Sequence, residues 1–143
     1  YVLPIGKAHV EREGKDITIT AYAKMVSFAL KAAEELKRDH DIDCEVINLR
    51  SLRPLDRPAI IKSVKKTNRI VSVEEGWPQH GVGSEIAALL MESEAFDHLD
   101  APMERVCGAD IPMPYSVSIE QQAIPNPPDI VKAVLKACYR NKK

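Results

Sequence analysis

The pattern of apolar and polar positions switches repeatedly between short β-branched runs and longer stretches with helical spacing. Asp16 to Tyr22 reads Asp-Ile-Thr-Ile-Thr-Ala-Tyr, which predicts a strand. From about Met25 to Arg38, the residues Val26, Ala29, Leu30, Ala33 and Leu36 recur three and four apart and predict a helix with one apolar face. Cys44 to Leu49 is a second predicted strand. Arg50 to Asp56 is a turn, and Asp56 is placed to cap a helix from about Pro58 to Lys66 with Ile60, Ile61 and Val64 inward. Arg69 to Val73 is a third strand, followed by a glycine-rich turn. Ser84 is expected to cap the next helix, with Glu85 favourable in its first turn and Ile86, Leu89 and Leu90 as its buried stripe. Met103 to Cys107 is a short fourth strand. Residues 108–128 contain Pro112, Pro114, Pro125, Pro127 and Pro128, which predicts an ordered loop. Asp129 to Tyr139 closes the chain as an amphipathic helix with Ile130, Val131, Val134, Leu135 and Cys138 inward.

Strands that alternate with helices predict an α/β fold with a mainly parallel sheet. At 143 residues the chain is long enough for one domain with a proper core. No interior break divides it, so residues 11–143 are expected to form the domain and residues 1–10 a linker. Tyr1-Val2-Leu3-Pro4-Ile5-Gly6 reads as an interdomain connection, and the chain is expected to be a piece of a longer polypeptide.

The net charge of −1 gives no global case for nucleic acid or a membrane surface. Local charge is another matter. From Ile70 to Glu104 there is no Lys or Arg, yet Glu74, Glu75, Glu85, Glu92, Glu94, Asp97, Asp100 and Glu104 lie there. An acidic face of this kind suits a basic protein partner, although charged runs more often just solvate helix faces. Cys44, Cys107 and Cys138 form no metal-binding spacing, and Cys44 and Cys107, in apolar contexts, read as buried thiols of a reducing compartment.

The stretch from Glu74 to Glu85 gathers two adjacent carboxylates, Trp77, His80, Gly81 and Gly83 after a strand, where open α/β sheets put working groups. Adjacent residues on extended chain point opposite ways, so Glu74 and Glu75 do not make an acid/base pair. One is expected to face solvent and the other to cap a backbone group. His80 lacks a nucleophile or metal set around it and reads as a structural or interface residue. Gly81-Val82-Gly83 can cradle an anion at a helix start, but it is neither Gly-x-Gly-x-x-Gly nor a P-loop, and Glu85 would repel phosphate. A tight turn that lets the helix pack on the sheet is the simpler role. No nucleophile–base–orienter set is found, and no catalytic, cofactor or metal residue is assigned.

Several long motifs nevertheless resemble one family. Glu45-Val46-Ile47-Asn48-Leu49-Arg50-Ser51-Leu52-Arg53-Pro54-Leu55-Asp56 is similar to a segment of the thiamine-diphosphate-dependent 2-oxoacid dehydrogenases. The Val73 to Ile86 stretch resembles the glycine loop of the pyruvate dehydrogenase E1 β-subunit family. Leu99-Asp100-Ala101-Pro102 and Gly108-Ala109-Asp110-Ile111-Pro112-Met113-Pro114-Tyr115 match the same family. The resemblance implies a transketolase C-terminal-like, three-layer α/β/α sandwich. It implies a mitochondrial enzyme that uses thiamine diphosphate and Mg, with the cofactor held by an upstream domain and the α subunit and not by these residues. It further implies assembly with an E1 α subunit and a second β subunit. Docking of the subunit-binding domain of the dihydrolipoyl acetyltransferase core is implied at Asp100, and the neighbouring acids Asp97 and Glu94 are expected to share in it. Trp77, His80, Gly81 and Gly83 are expected to serve packing and subunit contacts. The sequence departs from many relatives by what reads as an inserted loop, Lys37-Arg38-Asp39-His40-Asp41, and by a basic tail, Arg140-Asn141-Lys142-Lys143. A branched-chain 2-oxoacid dehydrogenase β subunit and a stand-alone anion-binding module remain as alternatives.

Overall fold

The computed structural model describes residues 6–52, 54–75, 81–108 and 124–140. Its elements are β1 (His9–Arg12), β2 (Ile17–Ala21), α1 (Met25–His40), β3 (Cys44–Asn48), α2 (Arg57–Thr67), β4 (Ile70–Val73), α3 (Val82–Met91), a 3₁₀ helix (Glu94–His98), β5 (Glu104–Val106) and α4 (Pro127–Ala137). The five strands form one sheet in the order β1-β3-β2-β4-β5. β2, β3, β4 and β5 run parallel, and β1 pairs antiparallel with β3 at one edge. Helices cover both faces, which makes the three layers of an α/β/α sandwich and explains why β2 and β4 are buried along their whole length.

The two faces differ in chemistry. Ile17, Ile19, Ala21, Cys44, Val46, Val71 and Val73 pack with α1 and α4 in an apolar core. The opposite face, under α2 and α3, mixes Ile47, Ile70 and Ile86 with buried polar groups. Thr18 Oγ1 lies 2.7 Å from Ser63 Oγ and 2.6 Å from Thr67 Oγ1. The buried Glu45 carboxylate accepts from Ser63 Oγ at 2.6 Å, from the Gly14 N–H at 3.2 Å and from Lys66. Thr18, Ser63, Thr67, Glu45 and Lys66 each find a partner in this network, which fixes how α2 sits on the sheet.

Four details differ from the sequence expectations. Lys37 to His40 are not a loop but the last turn of α1, whose basic residues suit a helix C-terminus. The turn comes at Asp41, which takes the left-handed conformation (φ 52°) and returns its N–H to the Leu36 carbonyl. The final helix begins before Asp129, because Asp129 Oδ2 accepts the Asn126 N–H at 2.9 Å and prolines suit a first turn. In that helix Ala137 is buried, while Leu135 and Cys138 are half-buried. β1 and the 3₁₀ helix carry no periodic apolar signal. β1 is an exposed edge strand of alternating charge and small apolar area, a composition that discourages edge pairing with other chains.

Burial pushes the Cys44 thiol from its ordinary 9.0 up to about 12. The neutral thiol is therefore the form compatible with the fold. Its contribution to stability is complete below pH 9 and is lost as the pH rises towards about 12. At pH 8 the folded protein should leave Cys44 unlabelled by iodoacetamide while the denatured chain labels fully. Rapid native-state labelling at Cys44 would contradict its burial.

Candidate functional site

The carboxyl ends of the parallel strands meet at Glu74. This residue follows β4, lies on the same side as Ser72, and is buried. Its Oε2 accepts the Val82 N–H at 2.9 Å, and its Oε1 accepts the Gly83 N–H at 3.3 Å. Oε1 also faces Arg105 Nη2 at 3.4 Å and Cys107 Sγ at 3.6 Å. One carboxylate thus ties the start of α3 to the end of β5. The helix begins after Gly81, with Ser84 inside its first turn, so the expected Ser84 cap is replaced by Glu74 reaching from the strand.

That closeness explains Gly81 and Gly83. A Cβ on Gly81 would lie 2.8 Å from the Glu74 carboxyl carbon, and one on Gly83 would lie 2.6 Å from Arg105 Nε. The helix start can press against the carboxylate only where side chains are missing. Glu75 points the other way, is exposed, and lies 3.8 Å from Lys24 Nζ. Burial, then Glu74 and Glu75, raise the Tyr22 phenol. Burial and the Glu74 charge raise the Cys107 thiol as well, which keeps it from acting as a thiolate at neutral pH. The hub therefore organises backbone, and among the described residues it holds no activated nucleophile. Trp77 and His80 lie outside the described residues.

The acidic segment is partly neutralised by bases from other elements, which the linear sequence concealed. Glu74 pairs with Arg105, Glu75 with Lys24, Glu85 with Arg57, Glu94 with Lys65 and Glu104 with Lys136. Of the eight acids, Glu92, Asp97 and Asp100 are the ones without an ion pair among the described residues. Glu94 and Asp97 stand on the 3₁₀ helix and Asp100 just beyond it, all three exposed. The Asp100 N–H donates to Asn68 O at 2.8 Å, and Asn68 Nδ2 donates to His98 O at 2.7 Å, so the end of α2 holds this segment in place.

Beside these acids lies an apolar groove of about 490 Å³ lined by Leu90, Met91, Phe96, Leu99, Met103 and Tyr139, with Asp100 on its wall. Met91, Phe96 and Tyr139 are 65%, 51% and 56% exposed. Sequence reasoning missed this groove. Its signal was a large apolar residue, Phe96, inside an acidic run, and Met91 off the buried stripe of α3.

Residues 6–130 match the family model described as transketolase, C-terminal domain. The chain is 61% identical over 141 residues to the mitochondrial pyruvate dehydrogenase E1 component subunit beta of Pisum sativum, covering 99% of this chain and 39% of that protein. It is 59% identical over 140 residues to the mitochondrial pyruvate dehydrogenase E1 component subunit beta-2 of Oryza sativa subsp. japonica, covering 98% of this chain and 37% of that protein. This chain thus spans less than two fifths of the length of these curated relatives. A split-gene transketolase, solved as an inactive beta4 tetramer, matches with a TM-score of 0.82 and 30% identity over 98% of this chain and 44% of its own.

Proposed function

The chain belongs to the transketolase C-terminal-domain family, and from that premise we propose that it is the C-terminal domain of a pyruvate dehydrogenase E1 β subunit. Its role in this reading is assembly and docking. Pyruvate decarboxylation and acetyl transfer to lipoyl groups belong to the complete enzyme, in the mitochondrial matrix, with an E1 α subunit and a second β subunit. The sequence identity to β subunits across nearly the whole chain is the observation that carries this reading.

Thiamine diphosphate with Mg supplies the carbanion chemistry of such an enzyme. The described residues do not fit it. The amides at the start of α3, the natural seat for a diphosphate, already hold the Glu74 carboxylate. No group of three His, Cys, Asp or Glu among the described residues is arranged to hold a metal ion. No catalytic step is assigned to this chain.

The docking role rests on the apolar groove and the acids Asp97 and Asp100 beside it. A small basic domain with an apolar anchor fits this surface, the acids steering encounter and the groove supplying buried area. Glu94 contributes less, because Lys65 Nζ lies 3.2 Å from its carboxylate. In the assembled heterotetramer, Asp100→Lys should weaken capture of the acetyltransferase's subunit-binding domain about tenfold at low salt, with the difference shrinking as salt is raised. Unchanged affinity by calorimetry would remove Asp100 from the docking surface.

A further inference from the structure

Beneath the first turn of α3, four strands line up one row of side chains. The register sets Thr20 of β2 beside Ile47 of β3 and Ser72 of β4, and Ser72 beside Arg105 of β5. Residues paired across strands point to the same face of a sheet. For this row it is the face that α2 and α3 cover, where Ile47 joins the cluster of Ile60, Ile86 and Leu89. The α3 backbone lies directly over Ser72, since a Cβ on Gly83 would be 2.8 Å from Ser72 Oγ. Thr20 is 1% exposed and Ser72 3%. Neither Thr20 Oγ1 nor Ser72 Oγ has a hydrogen-bond partner among the described residues. Their neighbours on this face are satisfied. Thr18 Oγ1, two residues before Thr20, reaches Ser63 and Thr67 of α2. Glu74, two residues beyond Ser72, holds the Val82 and Gly83 amides. The shortage is therefore local to two hydroxyls side by side, and a buried hydroxyl without a partner is destabilising.

We propose that Thr20 and Ser72 hold one buried water molecule between β2 and β4, beneath the start of α3. Adjacent strands lie about 4.8 Å apart. Two hydrogen bonds of about 2.8 Å span that distance through a single water. A hydroxyl both donates and accepts, so a water satisfies each of the two in either sense. The charges around the pair favour a neutral ligand. Arg105, on the next strand of the row, would repel a metal cation, and the Glu74 carboxylate on the same face would repel an anion. Those two charges face each other, Arg105 Nη2 to Glu74 Oε1 at 3.4 Å, which leaves the hydroxyls in polar surroundings of balanced charge. The water would join the two central strands through their side chains, and it would give Thr20 what Ser63 and Thr67 give Thr18. This inference stands on the fold and does not rest on the β-subunit reading.

The test compares the full-length protein with its Thr20→Val, Ser72→Ala and doubly substituted forms. Each single substitution takes one partner from the water, so each should lower the melting temperature by at least about 2 °C. The double substitution should cost clearly less than the two losses together, because both act on the same water. Valine keeps the shape of threonine, so a dry hydroxyl at Thr20 gives the opposite sign, a melting temperature unchanged or raised. That outcome in Thr20→Val, or strictly additive losses, would overturn the proposal. A high-resolution crystal structure of the unsubstituted protein reads the site directly, however the variants fold. One solvent peak within about 3.2 Å of both Thr20 Oγ1 and Ser72 Oγ is the expected result. Well-ordered hydroxyls with no solvent peak between them would overturn it.

Discussion

Glu74→Ala should lower the unfolding free energy by about 3 kcal/mol, the cost of leaving buried partners of a charge unpaired. The substitution strands the amides of Val82 and Gly83 and one face of the Arg105 guanidinium. Arg105 is partly exposed and can recover some hydration, which keeps the effect below the upper range for buried pairs. Glu74→Gln keeps the shape and one acceptor oxygen, so it should cost roughly half as much. Urea unfolding of the full-length subunit measures both. The α3 amides give a local reading, since hydrogen exchange at Val82 and Gly83 should accelerate most. A loss under about 1 kcal/mol for Glu74→Ala would mean that α3 is held by something other than this carboxylate.

Gly14→Ala should be equally damaging for a different reason. Gly14 joins β1 to β2 and is buried against the backbone of β3. An added Cβ would lie 2.6 Å from the Glu45 amide nitrogen and closer still to the Cys44 carbonyl group. Backbone cannot swing away as a side-chain end can, so either the connection or the edge of the sheet must move. That movement would also pull the Gly14 N–H from Glu45 Oε1, the carboxylate that bridges β3 to Ser63 and Lys66 of α2. A loss of about 3 kcal/mol follows, the upper part of the range for overpacking. Unchanged stability by thermal or urea unfolding would contradict the close approach.

Much of this fold could be read from residue pattern because its central strands and helices obey simple periods. The β-branched runs at Ile17 to Ala21 and Ile70 to Val73 are buried on both faces, and Asp56 caps α2 from just where a cap is required. The failures share a physical cause, namely a partner distant in sequence. Ser84 looked like a cap, but Glu74 fills that role from eight positions upstream of Val82. The acidic run looked uniform until Lys24, Arg57, Lys65, Arg105 and Lys136 were brought to it by folding. What survives is a smaller acidic patch at Glu92, Asp97 and Asp100, beside a groove that no periodicity announces because its walls come from α3, the 3₁₀ helix and the end of α4.

The glycine loop changes meaning in the same way. Its carboxylates, glycines and histidine resemble a reaction centre in the linear sequence. In the fold, Glu74, Gly81 and Gly83 serve one carboxylate-to-amide contact that sets the start of α3. A carboxylate that accepts two backbone amides and faces a guanidinium is well suited to holding the start of a helix.

The most direct measurement is turnover by the heterotetramer proposed for this chain. With thiamine diphosphate and Mg supplied, pyruvate should be decarboxylated at least about tenfold faster, by kcat/KM, than branched-chain 2-oxoacids. Preference for the branched-chain substrates, or no thiamine-dependent turnover of pyruvate by the assembled enzyme, would contradict it.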